Sequence, residues 1–325
     1  MVSRAFNPKC KISKEKRQVV LEAAKKHNFS PNRLASRLSM RTVRIGIVIN
    51  TRFSAGTTQM LKGIEAAYEN LKDYKIEYHI QKFNPDINNL QDYKDFFSQH
   101  KNFDAIILAG MSSSRYTPVI NELYKDVPCI AQVQAVNTKA DYLFGSKHNE
   151  QTASCLAADF LSSCLKRNCR KNILLFTGDL DSSLHSSAKE AFTETAATYG
   201  LNVLDCIDMK DNVDYFEKII PEVFAKYNDN LDGIYITSGF SEPLCKYLDE
   251  NKSNSALVTF DTLEHIKKYL EKGVIDATIS QNISRQMETA FEILVKHLIT
   301  GEIPPKTVYT DLQVVLKSNI HQYNG

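Results

Sequence analysis

Two aspartates, Asp179 and Asp181, stand two residues apart in the stretch TGDLDSS, residues 177–183. Paired loop carboxylates suit a hard cation, and they equally suit capping of a helix that starts at the serines behind them. No further ligands join them. None of the eight histidines forms a metal-spaced pair, and the seven cysteines (Cys10, Cys129, Cys155, Cys164, Cys169, Cys206 and Cys245) include no CxxC. Cys164 and Cys169, five apart, do not suit zinc. Helix capping is therefore the expected role of the aspartates, and no metal or other cofactor is expected.

The chain also lacks GxxxxGK[ST], HExxH and GxSxG, the signatures of a phosphate loop, a zinc hydrolase and a serine nucleophile. INTRFSAGTT, residues 49–58, offers one glycine where a dinucleotide-binding turn needs several. Nothing assembles a nucleophile, a base and an oxyanion donor, so no enzymatic activity is expected. Scattered cysteines of odd number suit the reducing cytoplasm. The polar N-terminus has no apolar signal-like run, and no apolar stretch reaches the roughly 18 residues of a membrane span. A cytoplasmic protein of ordinary globular composition, 43% hydrophobic and 24% charged over 325 residues, is the expectation.

Any binding chemistry must then come from side chains that the fold gathers. From residue 44 onward, apolar strand-like runs recur at 44–50, 75–80, 104–109, 127–133, 172–177, 201–206, 232–238, 256–260 and 276–280. Amphipathic helical patterns alternate with them at 56–72, 87–101, 115–125, 149–166, 183–199, 213–227, 241–250, 262–272 and 283–300. Near-continuously apolar strands between helices imply parallel sheets covered on both faces. About nine such units suggest two successive α/β halves, with the boundary near residues 142–148.

Doubly wound halves hold ligands outside the carboxyl ends of their strands. The residues there include Asn50, Phe53, Asn149, His185, Phe240, Asp261 and Gln281. Asn149, Asp261 and Gln281 are hydrogen-bonding candidates, and Phe53 and Phe240 candidate stacking platforms. Asp261 could instead cap the helix that follows it, and each phenylalanine could instead fill a core. The mix suits a ligand with hydroxyls and an apolar ring face.

The N-terminus differs in character. Residues 1–43 hold eleven Lys or Arg against two Glu, a net of +9; the chain totals +2, so the remainder carries −7. A basic end on an acidic body fits contact with a polyanion. Ser13 is placed to cap a helix carrying Val19, Val20, Ala23 and Ala24 at helical spacing, with Lys25 and Lys26 in its last turn. A second helix over 32–39 is too short to hold in water unaided.

Val2-Ser3-Arg4 with Asn7, the helix from Ser13 to Arg17, and Phe29-Ser30-Pro31-Asn32 with Ala35 and Leu38 together resemble the DNA-binding head and hinge of lactose-repressor-type transcription regulators. LDGIYITSGF, LVTFD and GVIDATISQN…RQ…AFEILVKHLITGEIPP resemble that family's effector domain. The resemblance implies a partial helix-turn-helix head and hinge in 1–43. It implies a two-lobed, type I periplasmic-binding-protein-like domain in 44–325. The N-subdomain would be about 44–146 plus 282–307, and the C-subdomain about 147–281 plus 308–320. It implies a homodimer on a palindromic operator and a sugar or sugar-like effector.

By the same resemblance Ser3, Arg4 and Asn7 lie on the recognition helix, with Arg4 toward a base edge. Asn32, Arg33, Ala35 and Arg37 belong to the DNA-binding hinge, and Leu38 wedges into the minor groove. Arg41 joins Arg33 and Arg37 at phosphates. His185 keeps its family place, but Ala188 stands where relatives commonly carry a ligand-binding arginine. A solute-binding receptor without DNA work is the alternative. Only Met1 precedes Val2 where that family has a further helix. Tight operator binding is therefore not expected of this chain, and a gel shift showing it would contradict that expectation. Loss of Arg33, Arg37 or Arg41 should weaken whatever binding occurs regardless of sequence, and lower the salt slope by about one unit.

Overall fold

A computed structural model describes Ala5 and residues 12–26, 41–84, 88–99, 102–111, 117–123, 129–134, 142–165, 170–227 and 230–323. Helix α1 (Lys14–Lys26) begins behind Ser13, whose Oγ accepts the Lys16 N–H at 3.4 Å. Its expected apolar face is largely open: Ala24 is buried, but Val19 is 65% exposed.

The first lobe, called the N-lobe, runs β1 (Val43–Asn50), α2 (Ser54–Asn70), β2 (Ile76–Phe83), α3 (Leu90–Gln99), β3 (Ala105–Ala109), α4 (Thr117–Leu123), β4 (Ile130–Val133) and β5 (Phe144–Lys147). The C-lobe follows with α5 (Glu150–Cys164), β6 (Asn172–Thr177), α6 (Ser183–Thr198), β7 (Asn202–Asp208), α7 (Val213–Tyr227), β8 (Gly233–Ile236), α8 (Glu242–Glu250), β9 (Ala256–Phe260), α9 (Glu264–Lys272) and β10 (Ala277–Ser280). The chain then returns with α10 (Ile283–Thr300) and β11 (Thr307–Tyr309), and crosses again to β12 (Gln313–Val315).

Each lobe is built on one six-stranded sheet. The orders are β11-β5-β4-β3-β1-β2 and β12-β10-β9-β8-β6-β7. Pairing is parallel throughout the first sheet; in the second, β12 runs antiparallel to β10. Two faces of each strand explain the continuous apolar runs. Ile45, Ile47 and Ile49 of β1 pack toward α2 and α10, whereas Val48 turns to Phe96 and Ile120 on the other side. In β6, Leu174 and Phe176 face α7 and α8, and Ile173 and Leu175 face α5 and α6.

The helices carry their own stop signals. In α9, Ile266, Tyr269 and Leu270 form the buried stripe, Glu264 sits in the first turn and Lys272 in the last. Gly273, at φ 77°, ends it in the left-handed region, where no β-carbon objects.

Two expectations shift, and one set falls outside the described residues. Short β5, β11 and β12 read as loops in sequence because none has a long apolar run; neighbouring strands make them strands. Since β11 adds in parallel to β5, the N-lobe extends through Lys147 and Tyr309 rather than ending at 146 and 307. The hinge helix over 32–39, with Asn32, Arg33, Ala35, Arg37 and Leu38, and the head residues Ser3, Arg4 and Asn7, lie outside the described residues.

α10 is the keystone of the N-lobe. It buries Ile283, Met287, Ala290, Phe291 and Leu294 against the sheet and lies on α2. A β-carbon on Gly63 of α2 would stand 2.2 Å from the Ser284 carbonyl oxygen of α10. Gly63→Val is expected to force the two helices apart and cost about 1–3 kcal/mol, read as a lower urea midpoint.

Candidate ligand-binding cleft

The carboxyl ends of both sheets face one cleft, a cavity of about 130 Å³. The N-lobe contributes Asn50, Arg52 and Phe53 behind β1, Gly110 behind β3 and Gln134 behind β4. The C-lobe contributes Asp179 behind β6, His185 from the first turn of α6, Asp211 behind β7, residues 237–240 behind β8, Phe260 and Asp261 at β9, and Gln281 behind β10. Gln134, Asp211 and Asp261 all hold positive φ (62°, 46° and 71°). Non-glycine residues rarely do so, and such strain gathers where a side chain must be aimed.

Asp261 is the most buried carboxyl of the lining. It is 3% exposed, and its Oδ2 accepts the Gln281 amide N–H at 3.1 Å. Burial pushes its carboxyl up to about 7; the Gln281 hydrogen bond pulls the other way and is outweighed. The capping alternative fails: Leu263 is the N-cap of α9, and no side chain caps that helix. Gln281 is itself held by Gln286, whose Nε2 donates to the Gln281 carbonyl at 3.0 Å and to its Oε1 at 3.1 Å.

A second cluster stands nearby. His185 Nε2 lies 3.5 Å from Asp211 Oδ2, and its Nδ1 lies 3.1 Å from Thr237 Oγ1. Burial disfavours the Asp211 carboxylate. The His185 hydrogen bond and charge, the Asp179 backbone N–H and the Arg52 guanidinium outweigh it, so the group sits below its ordinary range. Gly178 is required here, since a β-carbon would meet His185 Nε2 at 2.2 Å and Asp211 Oδ1 at 2.3 Å.

Phe53 crosses from the N-lobe. Its ring meets Phe240 edge-on at 5.1 Å between centroids, and it packs against the cores of both lobes. A β-carbon on Gly239 would collide with it at 2.5 Å. The ring thus has the core-packing role weighed for it as well as its place on the cleft wall.

Of the residues expected here, Asn50, Phe53, His185, Phe240, Asp261 and Gln281 line the cleft. Asn50 spends much of its polarity internally: its Nδ2 donates to the Gly110 carbonyl at 2.8 Å, and its Oδ1 accepts the Arg52 N–H at 3.0 Å. Asn149 is a correction. Its Oδ1 is the N-cap of α5, accepting the Thr152 N–H at 3.0 Å, and it is not part of the lining. The expected capping by the TGDLDSS aspartates is another. Asp179 Oδ1 accepts the Asp181 N–H at 3.0 Å, closing the turn before α6, while Ser182 is that helix's N-cap.

Sequence reasoning missed Asp211, Gln134 and Asp179 as cleft residues. Asp211 follows a strand that runs to Asp208, two residues beyond the expected end. Gln134 directly follows β4, a position the strand-end rule marks. Ala188 is buried within α6 and does not line the cleft; a guanidinium enters instead from the opposite lobe as Arg52. Arg41, expected at phosphates, pairs with Asp104 at 2.9 Å. Among the described residues no cluster of three or more His, Cys, Asp or Glu is arranged for a metal, and no helix is long and apolar enough to cross a membrane.

Two α/β lobes joined by repeated crossings, with polar strand ends facing one cleft, define a two-lobed binding-protein architecture. Residues 45–303 match the periplasmic binding protein domain, and the chain belongs to that family. No curated protein matches the chain in sequence. Solved structures share the fold. GanP, a glucose-galactose binding protein from Geobacillus stearothermophilus, superposes with TM-score 0.74 at 18% identity, covering 86% of this chain and 99% of that one. A putative LacI transcriptional regulator from Bacteroides fragilis gives 0.73 at 18%, covering 87% and 100%. A solute binding protein from Burkholderia graminis in complex with D-arabinose gives 0.74 at 19%, covering 87% and 98%.

Asp261 ties the cleft to pH. Its carboxyl titrates at about 7 in the fold, against an ordinary 3.8. The folded state therefore holds the extra proton between those values. The stability that proton gives is full below about pH 4 and is lost as pH rises to about 7. Asp261→Asn removes the buried charge. At pH 8 it should raise the melting temperature by on the order of 5 °C, with the gain shrinking toward pH 4. Thermal melts across pH check this.

Proposed function

We propose that the cleft binds a monosaccharide or similar polyhydroxylated molecule, and that the protein is a ligand-responsive DNA-binding regulator, most simply a repressor. The observation that carries the binding reading is the convergence of hydrogen-bonding side chains from both lobes around aromatic rings. Asp179, Asp211 and Asp261 can accept from hydroxyls, Arg52 and His185 can donate, and Phe240 offers an apolar face to a sugar ring. Relatives of the same fold that bind glucose, galactose or D-arabinose support it. In this reading the protein performs no catalysis.

The regulator half of the reading is supported by the +9 N-terminal segment, the resemblance of its motifs to a lactose-repressor-type head, and a putative regulator among the structural relatives. In this reading the protein works in the cytoplasm as a homodimer on a palindromic site. Ligand changes the angle between lobes and thus the spacing of two hinge segments. Such coupling is typically about 1–3 kcal/mol and reciprocal: DNA alters ligand affinity as much as ligand alters DNA affinity.

A solute receptor is the second reading, favoured by the several sugar-transport binding proteins of the same fold. Thermal shift over a panel of aldoses, ketoses, polyols and nucleosides tests the shared part: one sugar should raise the melting temperature by mass action. Phe240→Ala should weaken that sugar about tenfold or more, as read by calorimetry. A panel with no stabilising sugar would defeat the binding reading. Fluorescence anisotropy with duplex DNA at low salt separates regulator from receptor; no binding there would leave the receptor.

A further inference from the structure

We propose that Gln286 is a positioning residue for the cleft: by donating both amide hydrogens to Gln281, it fixes which end of the Gln281 amide faces Asp261. Gln286 is fully buried in the first turn of α10. Its amide meets two oxygens of one residue, the Gln281 carbonyl and the Gln281 Oε1. The nitrogen and oxygen ends of an amide are nearly alike in size, so hydrogen-bond partners decide its orientation. A backbone carbonyl cannot become a donor, and it holds Gln286 with its NH₂ toward Gln281. The Oε1 of Gln281 must then face Gln286, which leaves its NH₂ for Asp261 Oδ2.

Without the Gln286 donors, Gln281 is free to rotate its amide and turn its oxygen to Asp261. That arrangement is satisfied only if Asp261 carries a proton. Gln286 therefore favours the ionised, accepting form of Asp261 without touching it. His148, 1% exposed on the first crossing between lobes, lies beside the same Gln281, and its ring lies 5.3 Å from that of Phe260. Burial drives His148 down to about 4, so it is neutral where Asp261 titrates. The other titratable or charged groups around Asp261 are Tyr235 on β8 and, across the cavity, His185, Asp211, Asp179 and Arg52. The chain of bonds runs from the C-lobe (Asp261) through the second crossing (Gln281) to the N-lobe (Gln286), so the lobe angle and the carboxyl share one set of hydrogen bonds.

The value of an ionised Asp261 to a ligand rests on the proposed function, but the following test needs no ligand, so either can fail alone. The carboxyl carbon of Asp261 is followed by ¹³C NMR across pH in the full chain, assigned by its loss in Asp261→Asn. Gln281→Leu, which removes the donor outright, sets the size of the effect. Gln286→Met and Gln286→Leu, neither of which can donate to Gln281, should each raise the midpoint by about one pH unit. In the wild type, the Gln286 side-chain amide signal should follow the same midpoint. A merely structural Gln286 lowers the melting temperature and leaves the midpoint in place. Folded Gln286 variants that titrate as wild type while Gln281→Leu shifts would overturn the proposal, as would a wild-type Gln286 amide indifferent to pH.

Discussion

Asp261 is a carboxyl group enclosed by protein and given one side-chain donor, the Gln281 amide. Burying such a group is unfavourable unless its oxygens are satisfied. Its backbone, at φ 71°, adds strain that a glycine would avoid. Core packing gains nothing from this arrangement. In the proposed function that acceptor serves a ligand in the cleft, and the neighbouring contacts hold it in place. Thr278 Oγ1 donates to the Asp261 carbonyl and pins the backbone turn. Gln281 sits on a crossing between lobes rather than on a strand of either, so the carboxyl's one partner lies where the lobes pivot.

That economy explains what could and could not be seen in sequence. The nine strands read in sequence, and their helices, were legible because both sheets bury two faces and so need apolar runs, as in ILLFT of β6. FGSK of β5 was illegible as a strand: its pairing with β4 and β11 makes it one, and that pairing is a property of the assembled sheet. The cleft was readable to the same extent. Asp261 and Gln281 directly follow strands of obvious character, and Phe240 lies in the loop behind β8. Asp211 was hidden because β7, half-exposed at the sheet edge, runs past its apolar part to Asp208. Asn149 misled because an asparagine at a strand end and an asparagine at a helix start occupy the same place in sequence here, and the Thr152 N–H claims it.

Charge separates the chain into parts that the fold alone does not distinguish. The two-lobed body is common to receptors and regulators at under 20% identity, so its shape speaks to neither. The 44 residues ahead of the family match carry the contrary charge, and α1 within them leaves Val19 and Leu21 exposed. A basic helix with exposed aliphatics, ahead of an acidic body in the chain, is a segment whose partner is not supplied by the described core.

The contact between lobes sets the scale on which a ligand must act. Phe53 packs against both cores and meets Phe240 edge-on, and Gln59 Nε2 reaches the Thr262 carbonyl at 3.4 Å from the opposite lobe. An aromatic pair contributes about 0.5–1.5 kcal/mol beyond its buried area, and a long hydrogen bond at the lobe boundary adds little. These two contacts alone are comparable to the roughly 1–3 kcal/mol by which effectors usually couple sites. A stronger clasp, such as a large apolar seam, would hold the lobes together whether or not the cleft were filled. A weaker one would leave a small ligand to supply the whole energy of closure. Gly239 is what permits the intermediate case: any side chain there would push Phe53 away and remove the clasp. In the proposed function, hydrogen bonds from a ligand to Asp261 and its neighbours add to this contact between the lobes.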